Sequence, residues 1–437
     1  MPERLRNGVL TLGSLVFYLL GTWKRPWCLA LLLGLMALTW LSGRKLAGSK
    51  PLLVGNLLVL GLCLFGFKYA GLLGSGIALP LGLSFYSFQM AAYVIDVYRG
   101  RMEPEECPVS YAAEVLMFPK LLSGPLMDPA ELKAQMYRRT CTLRELDIGL
   151  RDFIIGLSMK VLLANQIGGL WRQVKTIGFE SISTPMAWLG LVAYSLQLYL
   201  DFCGYSWMAI GVGELLGFRL PRNFEHPYAA RSMRDFWRRW HISLSSWVRD
   251  YLFLPLSSFI RRWGQWGVAA SLMVTFIALG VWHGAGWTFA VYGFIQGLVI
   301  VWELRTERIR NKVRKHIGGR LFATLSVIRT YLIFAVSLVF FKAQSVSDAF
   351  YFLRNISFQT HASWKEINIG MSDHICIVAG AALLLMLLYD YLMSKRNQHR
   401  RLERQPILLR WTIYYLIVFA LFAYGKFGTE NFIYLQF

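Results

Sequence analysis

Long blocks of nearly uninterrupted apolar sequence recur along this 437-residue chain and leave few folds open to it. They run to about 17–25 residues, the length an α-helix needs to cross about 30 Å of hydrocarbon. The blocks are Gly8–Trp23, Trp27–Ser42, Leu52–Leu73, Ile77–Ile95, Ile148–Trp171, Met186–Leu200, Val268–Trp282, Trp287–Trp302, Leu321–Phe341, Ile375–Met393 and Leu408–Tyr424. They predict an all-α polytopic membrane protein of about ten to eleven helices, with the short or interrupted blocks as re-entrant segments. A transmembrane β-barrel would show alternation in runs of about ten residues, which this sequence does not. Hydrophobic residues make up 56% of the chain and charged residues 16%, against about 45–50% and about 25% in a soluble domain.

The net charge is +21, from 46 basic and 25 acidic residues. In a soluble chain that excess would suggest nucleic acid, but in a membrane protein the positive-inside rule accounts for it, and no nucleic-acid partner is expected. Basic residues cluster in Arg219–Arg239, Arg249–Arg262, Arg305–Arg320 and Lys395–Arg410, read here as cytoplasmic connections. Two crossings separate the last two clusters, so the Lys342–Asp373 loop between them and the C-terminus are expected outside. The six cysteines are scattered with no Cys-x-x-Cys spacing, so no metal site is expected and they read as apolar filler. The basic stretch Pro2–Asn7 precedes no obvious small-residue cleavage site, which makes the first helix an uncleaved anchor.

No polar stretch is long enough for a separate soluble domain, so residues 1–437 are read as one membrane domain. No internal repeat is visible, which weakens a reading as an inverted-repeat transporter. Three stretches interrupt the pattern of spans and loops. Val109–Asp128 holds Phe118-Pro119-Lys120-Leu121-Leu122-Ser123-Gly124-Pro125, where two prolines and a glycine forbid a continuous helix in an apolar context. Arg231–Leu256 places Phe236, Trp240, Leu244 and Trp247 on one helical face, with Arg231, Arg234, Arg238 and Arg249 elsewhere. It predicts an amphipathic helix lying at the cytoplasmic interface, with His241 a candidate to line a cavity.

The third interruption is Trp282-His283-Gly284-Ala285-Gly286-Trp287, which sets a titratable ring at the end of an apolar block. An ionisable group at such depth is costly, so His283 is a functional candidate rather than only a satisfied core or loop histidine. The two glycines suit a tight turn with close backbone approach, and Trp282 and Trp287 are expected to wall it. The charge pattern puts His283 at the outer end of its helix. A neutral imidazole in a dry pocket is able to accept a proton near neutral pH, as general-base chemistry requires.

The block from Arg234 through His241 to Leu256, followed by Gly280-Val-Trp-His283-Gly-Ala-Gly-Trp-Thr-Phe289, resembles the membrane-bound O-acyltransferase family. Stretches 84–100, 118–125, 200–211, 216–224 and 432–437 fit the same pattern in the same order, so the resemblance covers nearly the whole chain. The core motifs are 84–100, 118–125, 200–256 and 280–289. The nearest branch is alginate O-acetyltransferase of bacteria, with teichoic-acid D-alanyl transferase more distant. Gly284-Ala-Gly-Trp287 and the pair Arg238-Arg239 favour the acetyl-transferring branch.

What the resemblance implies is a helical bundle with a central tunnel, the family's histidine at His283 and its second histidine at His241. Trp282, Gly284, Trp240 and Ser243 become candidates for tunnel lining, and Arg238 and Arg234, with Arg231, for attracting the donor's phosphates. No bound cofactor is implied. The co-substrate would be acetyl-CoA or a carrier-protein thioester on the cytoplasmic side. His283 would deprotonate a hydroxyl, and His241 would polarise the acyl carbonyl or line the donor channel; an acyl-enzyme on Ser243 or Ser245 is the alternative. The resemblance further implies the bacterial inner or plasma membrane, a polysaccharide acceptor and an extracytoplasmic SGNH-type acetyltransferase partner. Two other readings compete. A polysaccharide or precursor transporter would show paired charges within spans, and Asp201 and Lys160 have no obvious partner in sequence. A non-catalytic scaffold would not consume acetyl-CoA.

Overall fold

The computed structural model describes residues 3–70, 79–177, 183–358, 384 and 405–428, and among them there is no β-strand. The helices are α1 Glu3–Thr22, α2 Trp27–Gly43, α3 Lys50–Ala70, α4 Leu83–Tyr98, α5 Pro108–Leu116, α6 Phe118–Leu121, α7 Pro129–Arg138 and α8 Leu143–Ser158. They continue as α9 Asn165–Ile177, α10 Thr184–Leu215, α11 Met233–Arg239, α12 Ile242–Val248, α13 Leu254–Phe259, α14 Gly264–His283, α15 Trp287–Arg305, α16 Glu307–Ile317, α17 Gly319–Lys342 and α18 Val346–Phe358, with a last helix at Ile407–Tyr424. Seven of the described helices are long and apolar enough to cross a membrane, and Trp27–Gly43 is a shorter apolar one. Leu20, Leu62 and Phe422 are 72%, 72% and 84% exposed, which hydrocarbon tolerates and water would not. The chain is an all-α, multi-pass membrane protein. Apart from residue 384, the expected span Ile375–Met393 lies outside the described residues, as do residues 359–373 of the loop expected to be external.

The described chain divides into two compact units, one of residues 1–153, 206–222 and 246–255, the other of the remainder. In the first unit the broken segment expected between Val109 and Asp128 is present. Helix α5 stops at Met117, whose ψ of 103° is not helical, and the four-residue α6 follows. The segment is buried from Ala113 to Met117, including the charged Glu114, and Lys120 beyond it is buried as well. Gly124 is required there, because any Cβ would strike the backbone of Pro119 and Lys120.

Helix α10 runs 32 residues, well past the end expected from hydropathy. Asp201 does not end it because Lys160 Nζ lies 2.5 Å from its carboxylate, so the two intramembrane charges that look solitary in sequence neutralise each other. Lys160 sits in a π-helical turn, Met159–Ala164, joining α8 to α9. The pairing is invisible in sequence because the partners lie on separate helices whose facing sides no single-chain periodicity reveals.

Helices α14 and α15 form an antiparallel hairpin in the second unit, closed by glycine. A Cβ on Gly280 would collide with the carbonyl oxygen of Phe289, and one on Gly293 with that of Phe276. Small residues of this kind let membrane helices approach until their backbones touch. The approach sets the position of His283, the last residue of α14. Gly293→Ala is expected to lower the thermal midpoint, at a cost of about 1–3 kcal/mol for overpacking. Gly66→Ala on α3, where nothing lies within 4 Å, is the control and should leave it unchanged. Equal behaviour of the two variants in detergent-solubilised melting would refute the close-approach account.

Candidate functional site

The stretch expected as one amphipathic helix is broken at Trp240–His241, and its apolar face packs into protein. Helix α11 ends at Arg239, Trp240 is extended at φ −106° and ψ 126°, and His241 takes a left-handed φ of 45°. Helix α12 then starts at Ile242. Left-handed backbone is rare for a residue with a Cβ and costs about 1 kcal/mol or more, so something must hold it. What holds it is the stretch of chain at 223–225. Glu225 N donates to Arg239 O at 2.9 Å, and Ile242 N donates to Asn223 O at 2.9 Å. The freed backbone groups on both sides of the break are thereby paired within the protein.

The Asn223 side chain completes the arrangement. Its Oδ1 accepts from Ser243 N at 3.2 Å and from Ser243 Oγ at 3.0 Å, and lies 3.0 Å from His241 Nδ1. The main-chain N–H of Ser243 donates only, so the atom facing it must be the amide oxygen. The same oxygen facing Nδ1 requires the proton there and leaves Nε2 unprotonated. His241 is 1% exposed, and burial pushes its imidazole down to about 3, so the ring is neutral at cellular pH. The Phe202 ring meets it edge-on at 4.6 Å. In sequence, Asn223 stands only within the 216–224 match, and no periodicity singles it out as a site residue.

Ser243 and Ser245 are both committed to structural acceptors, Asn223 Oδ1 and Trp240 O respectively. Neither hydroxyl's bond runs to a base. Trp240 is buried in an aromatic cluster, with Phe224 at 5.1 Å, Phe334 at 5.2 Å and Phe236 stacked at 5.5 Å. Arg234 and Arg238 lie exposed on α11. Two buried links with no signature in sequence lock α11 to its neighbours. Trp237 Nε1 donates to Gln296 Oε1 on α15 at 3.2 Å, and Gln296 Nε2 donates to Ser337 Oγ on α17 at 2.7 Å. The Glu303 carboxylate of α15 accepts from Met233 N at 3.0 Å and pairs with Arg329 of α17 at 3.0 Å.

His283 ends α14 with 6% exposure, so the ring is enclosed mainly by other side chains. Trp282 lies 4.8 Å from it, Phe341 5.2 Å and Tyr292 6.4 Å, all edge-on. Trp287, expected as the second wall of the turn, is 82% exposed and does not serve as one. Gly284 and Gly286 are both extended at φ −165°, so neither supplies a left-handed turn. Gly284 is needed for space, since a Cβ would enter the Phe289 ring, whereas Gly286 has room. Helix α17 packs against both stretches. Trp240, next to His241, packs on Phe334, and His283 packs on Phe341 of the same α17. Two helical turns separate those phenylalanines, about 10 Å along the axis.

The acceptor role of Asn223 generates a prediction. Asn223→Ala strands three buried donors, each worth about 1–3 kcal/mol when unpaired, and should lower the thermal midpoint by at least about 2 kcal/mol equivalent. Ser243→Ala removes only one of the three and should cost under about 1 kcal/mol. Melting curves of the two variants showing equal losses would refute the role given to the carboxamide.

The profile of the MBOAT, membrane-bound O-acyltransferase family matches residues 108–341, which include both histidines. The chain is 34% identical over 371 residues to the "Probable alginate O-acetylase" of Pseudomonas aeruginosa, covering 79% of this chain and 69% of that protein. It is 28% identical over 480 residues to the peptidoglycan O-acetyltransferase of Helicobacter pylori, covering 94% and 89%. The teichoic acid D-alanyltransferase of Bacillus subtilis is 27% identical over 262 residues, covering 57% and 65%. With a family match over more than half its length and a relative of this identity and coverage, the chain belongs to the membrane-bound O-acyltransferase family and is an O-acyltransferase.

Proposed function

We propose that this enzyme moves an acyl group, acetyl in preference, from a cytoplasmic thioester to a hydroxyl supplied across the bacterial inner membrane. The end product is O-acetylated exported or cell-surface polysaccharide, and residues 1–437 act as one catalytic module. The observation that carries this reading is His283, an imidazole buried among Trp282, Tyr292 and Phe341 at the end of an apolar span. An ionisable ring at that depth is costly unless it is paired or useful, which makes His283 a functional candidate. The relatives named for O-acetylation of alginate and peptidoglycan support a carbohydrate acceptor and an acetyl group. The D-alanyl alternative rests on lower identity and shorter coverage.

The chemistry follows from general-base logic. His283 takes the proton of the acceptor hydroxyl as its oxygen attacks the thioester carbonyl. The carbon–sulfur bond breaks, and the departing thiolate receives the proton. Donor and acceptor meet in a tunnel that passes His283 and His241, with Trp282, Gly284, Trp240 and Ser243 in its walls. Because Nδ1 of His241 carries the proton that faces Asn223, its Nε2 offers a lone pair and no N–H. That favours lining the donor channel over polarising the acyl carbonyl, which needs a donor. Arg238, exposed on α11, is available to the donor's phosphates, since its guanidinium fork suits phosphate. Acetyl-CoA is the donor of choice and a carrier-protein thioester the alternative. The acetyl group then passes through an extracytoplasmic SGNH-type partner acetyltransferase.

His283→Ala is expected to reduce polymer acetylation at least about 100-fold, the usual contribution of a positioned base, with membrane abundance unchanged. Acetate released from the isolated polymer measures it, and undiminished acetylation would remove the central assignment. Ser243→Ala should keep most of the turnover of radiolabelled acetyl-CoA by the purified enzyme, because direct transfer needs no acyl-serine. Loss of turnover in a folded Ser243→Ala protein would restore the covalent route.

A further inference from the structure

Between α11, α15, α16 and α17 lies a cavity of about 120 Å³. Arg234, Arg310 and Arg314 line it together with Ser232 and Asn311, so its polar groups are chiefly donors. Two carboxylates also face it. Glu303 is already taken, by Arg329 at 3.0 Å and by the main-chain N–H groups of Met233 and Arg234. That leaves three guanidiniums against Glu307. Arg310 donates through Nη2 to the main-chain oxygen of Glu303, while its buried Nε–H finds no acceptor among the described residues. The volume exceeds the roughly 30 Å³ that one water occupies in the liquid, and the fork geometry of arginine suits a phosphate.

The surroundings identify the bearer of the phosphate. Helix α16 is a short connection between two spans, with Arg310 and Arg314 one turn apart on one side. Ile309 and Val313, also one turn apart, are 62% and 43% exposed, and Leu321 at the start of α17 is 53% exposed. Phe322 of α17 lines the cavity itself. An exposed apolar stripe beside a cationic one is the pattern of a helix lying in the headgroup layer. A soluble phosphate compound would make no use of the apolar stripe. We infer that this cavity binds the phosphate of an anionic phospholipid, whose acyl chains lie along Ile309, Val313 and Leu321. The site does not rest on the catalytic assignment, although Arg234 is also a candidate for the donor's phosphates, and its occupant ties α11 to the membrane surface.

The test uses the full-length protein in neutral detergent, titrated with phosphatidylglycerol or phosphatidylcholine and followed by thermal melting. Coenzyme A and inorganic phosphate serve as soluble controls. Phosphatidylglycerol should raise the midpoint of the wild type well above the effect of phosphatidylcholine, and Arg310→Gln/Arg314→Gln should abolish that increment. The single variants Arg234→Gln and Arg314→Gln, at exposed positions, should each raise the half-saturating lipid concentration about tenfold, the effect of removing one charge-assisted hydrogen bond. They decide the matter if the double variant fails to fold. An unchanged phosphatidylglycerol response in the variants overturns the site. So does an equal, arginine-dependent response to coenzyme A or inorganic phosphate, which would make the cavity a subsite for a soluble ligand.

Discussion

One carboxamide oxygen organises the junction between α11 and α12. Asn223 Oδ1 meets the imidazole of His241 and both the amide and the hydroxyl of Ser243, where the chain turns from α11 into α12. In an apolar surrounding a broken helix is tolerable only if its freed polar groups are paired inside the protein. The stretch at 223–225 does this with its main chain, and Asn223 does the rest. The left-handed conformation of His241 follows, and with it the direction of the ring and the position of its proton.

That local device is held in register by longer-range ties. Gln296 links Trp237 to Ser337, and Glu303 links the start of α11 to Arg329, so α11, α15 and α17 are tied together. Helix α17 then presents Phe334 toward Trp240 and Phe341 toward His283. The close approaches at Gly280 and Gly293 bring α14 against α15 and set His283 at the end of a rigid hairpin. The two histidines thus stand on short, over-determined elements rather than on loose loops, an arrangement of the kind that holds reactants in one geometry in the proposed reaction.

Much of this is legible in the residues alone, for a plain reason. Membrane helices declare themselves by length and hydropathy, and the described parts of the blocks from Gly8–Trp23 to Leu408–Tyr424 are mainly helical. The broken segment at Phe118–Pro125 is legible because proline and glycine act locally. The break at Trp240–His241 is not, since Phe236, Trp240, Leu244 and Trp247 keep a faultless helical spacing and contain neither breaker. There the tertiary partner Asn223 outweighs the local preference. Trp287 misleads in the opposite way: adjacency to the turn suggests a wall, but the first residue of α15 points away.

Residue chemistry and one-dimensional spacing determined the class of solvent, the number of crossings to look for and the two histidines worth watching, because hydrophobicity and chain breakers act over a few residues. Only the folded arrangement decided that Lys160 meets Asp201, that Glu303 meets Arg329 and that Asn223 assigns the tautomer of His241. Those partners lie 18 to 41 positions apart along the chain, on elements whose facing sides are chosen by packing rather than by local preference. A buried polar group takes whichever partner the packed helices bring within hydrogen-bonding reach, and that distance is a property of the fold.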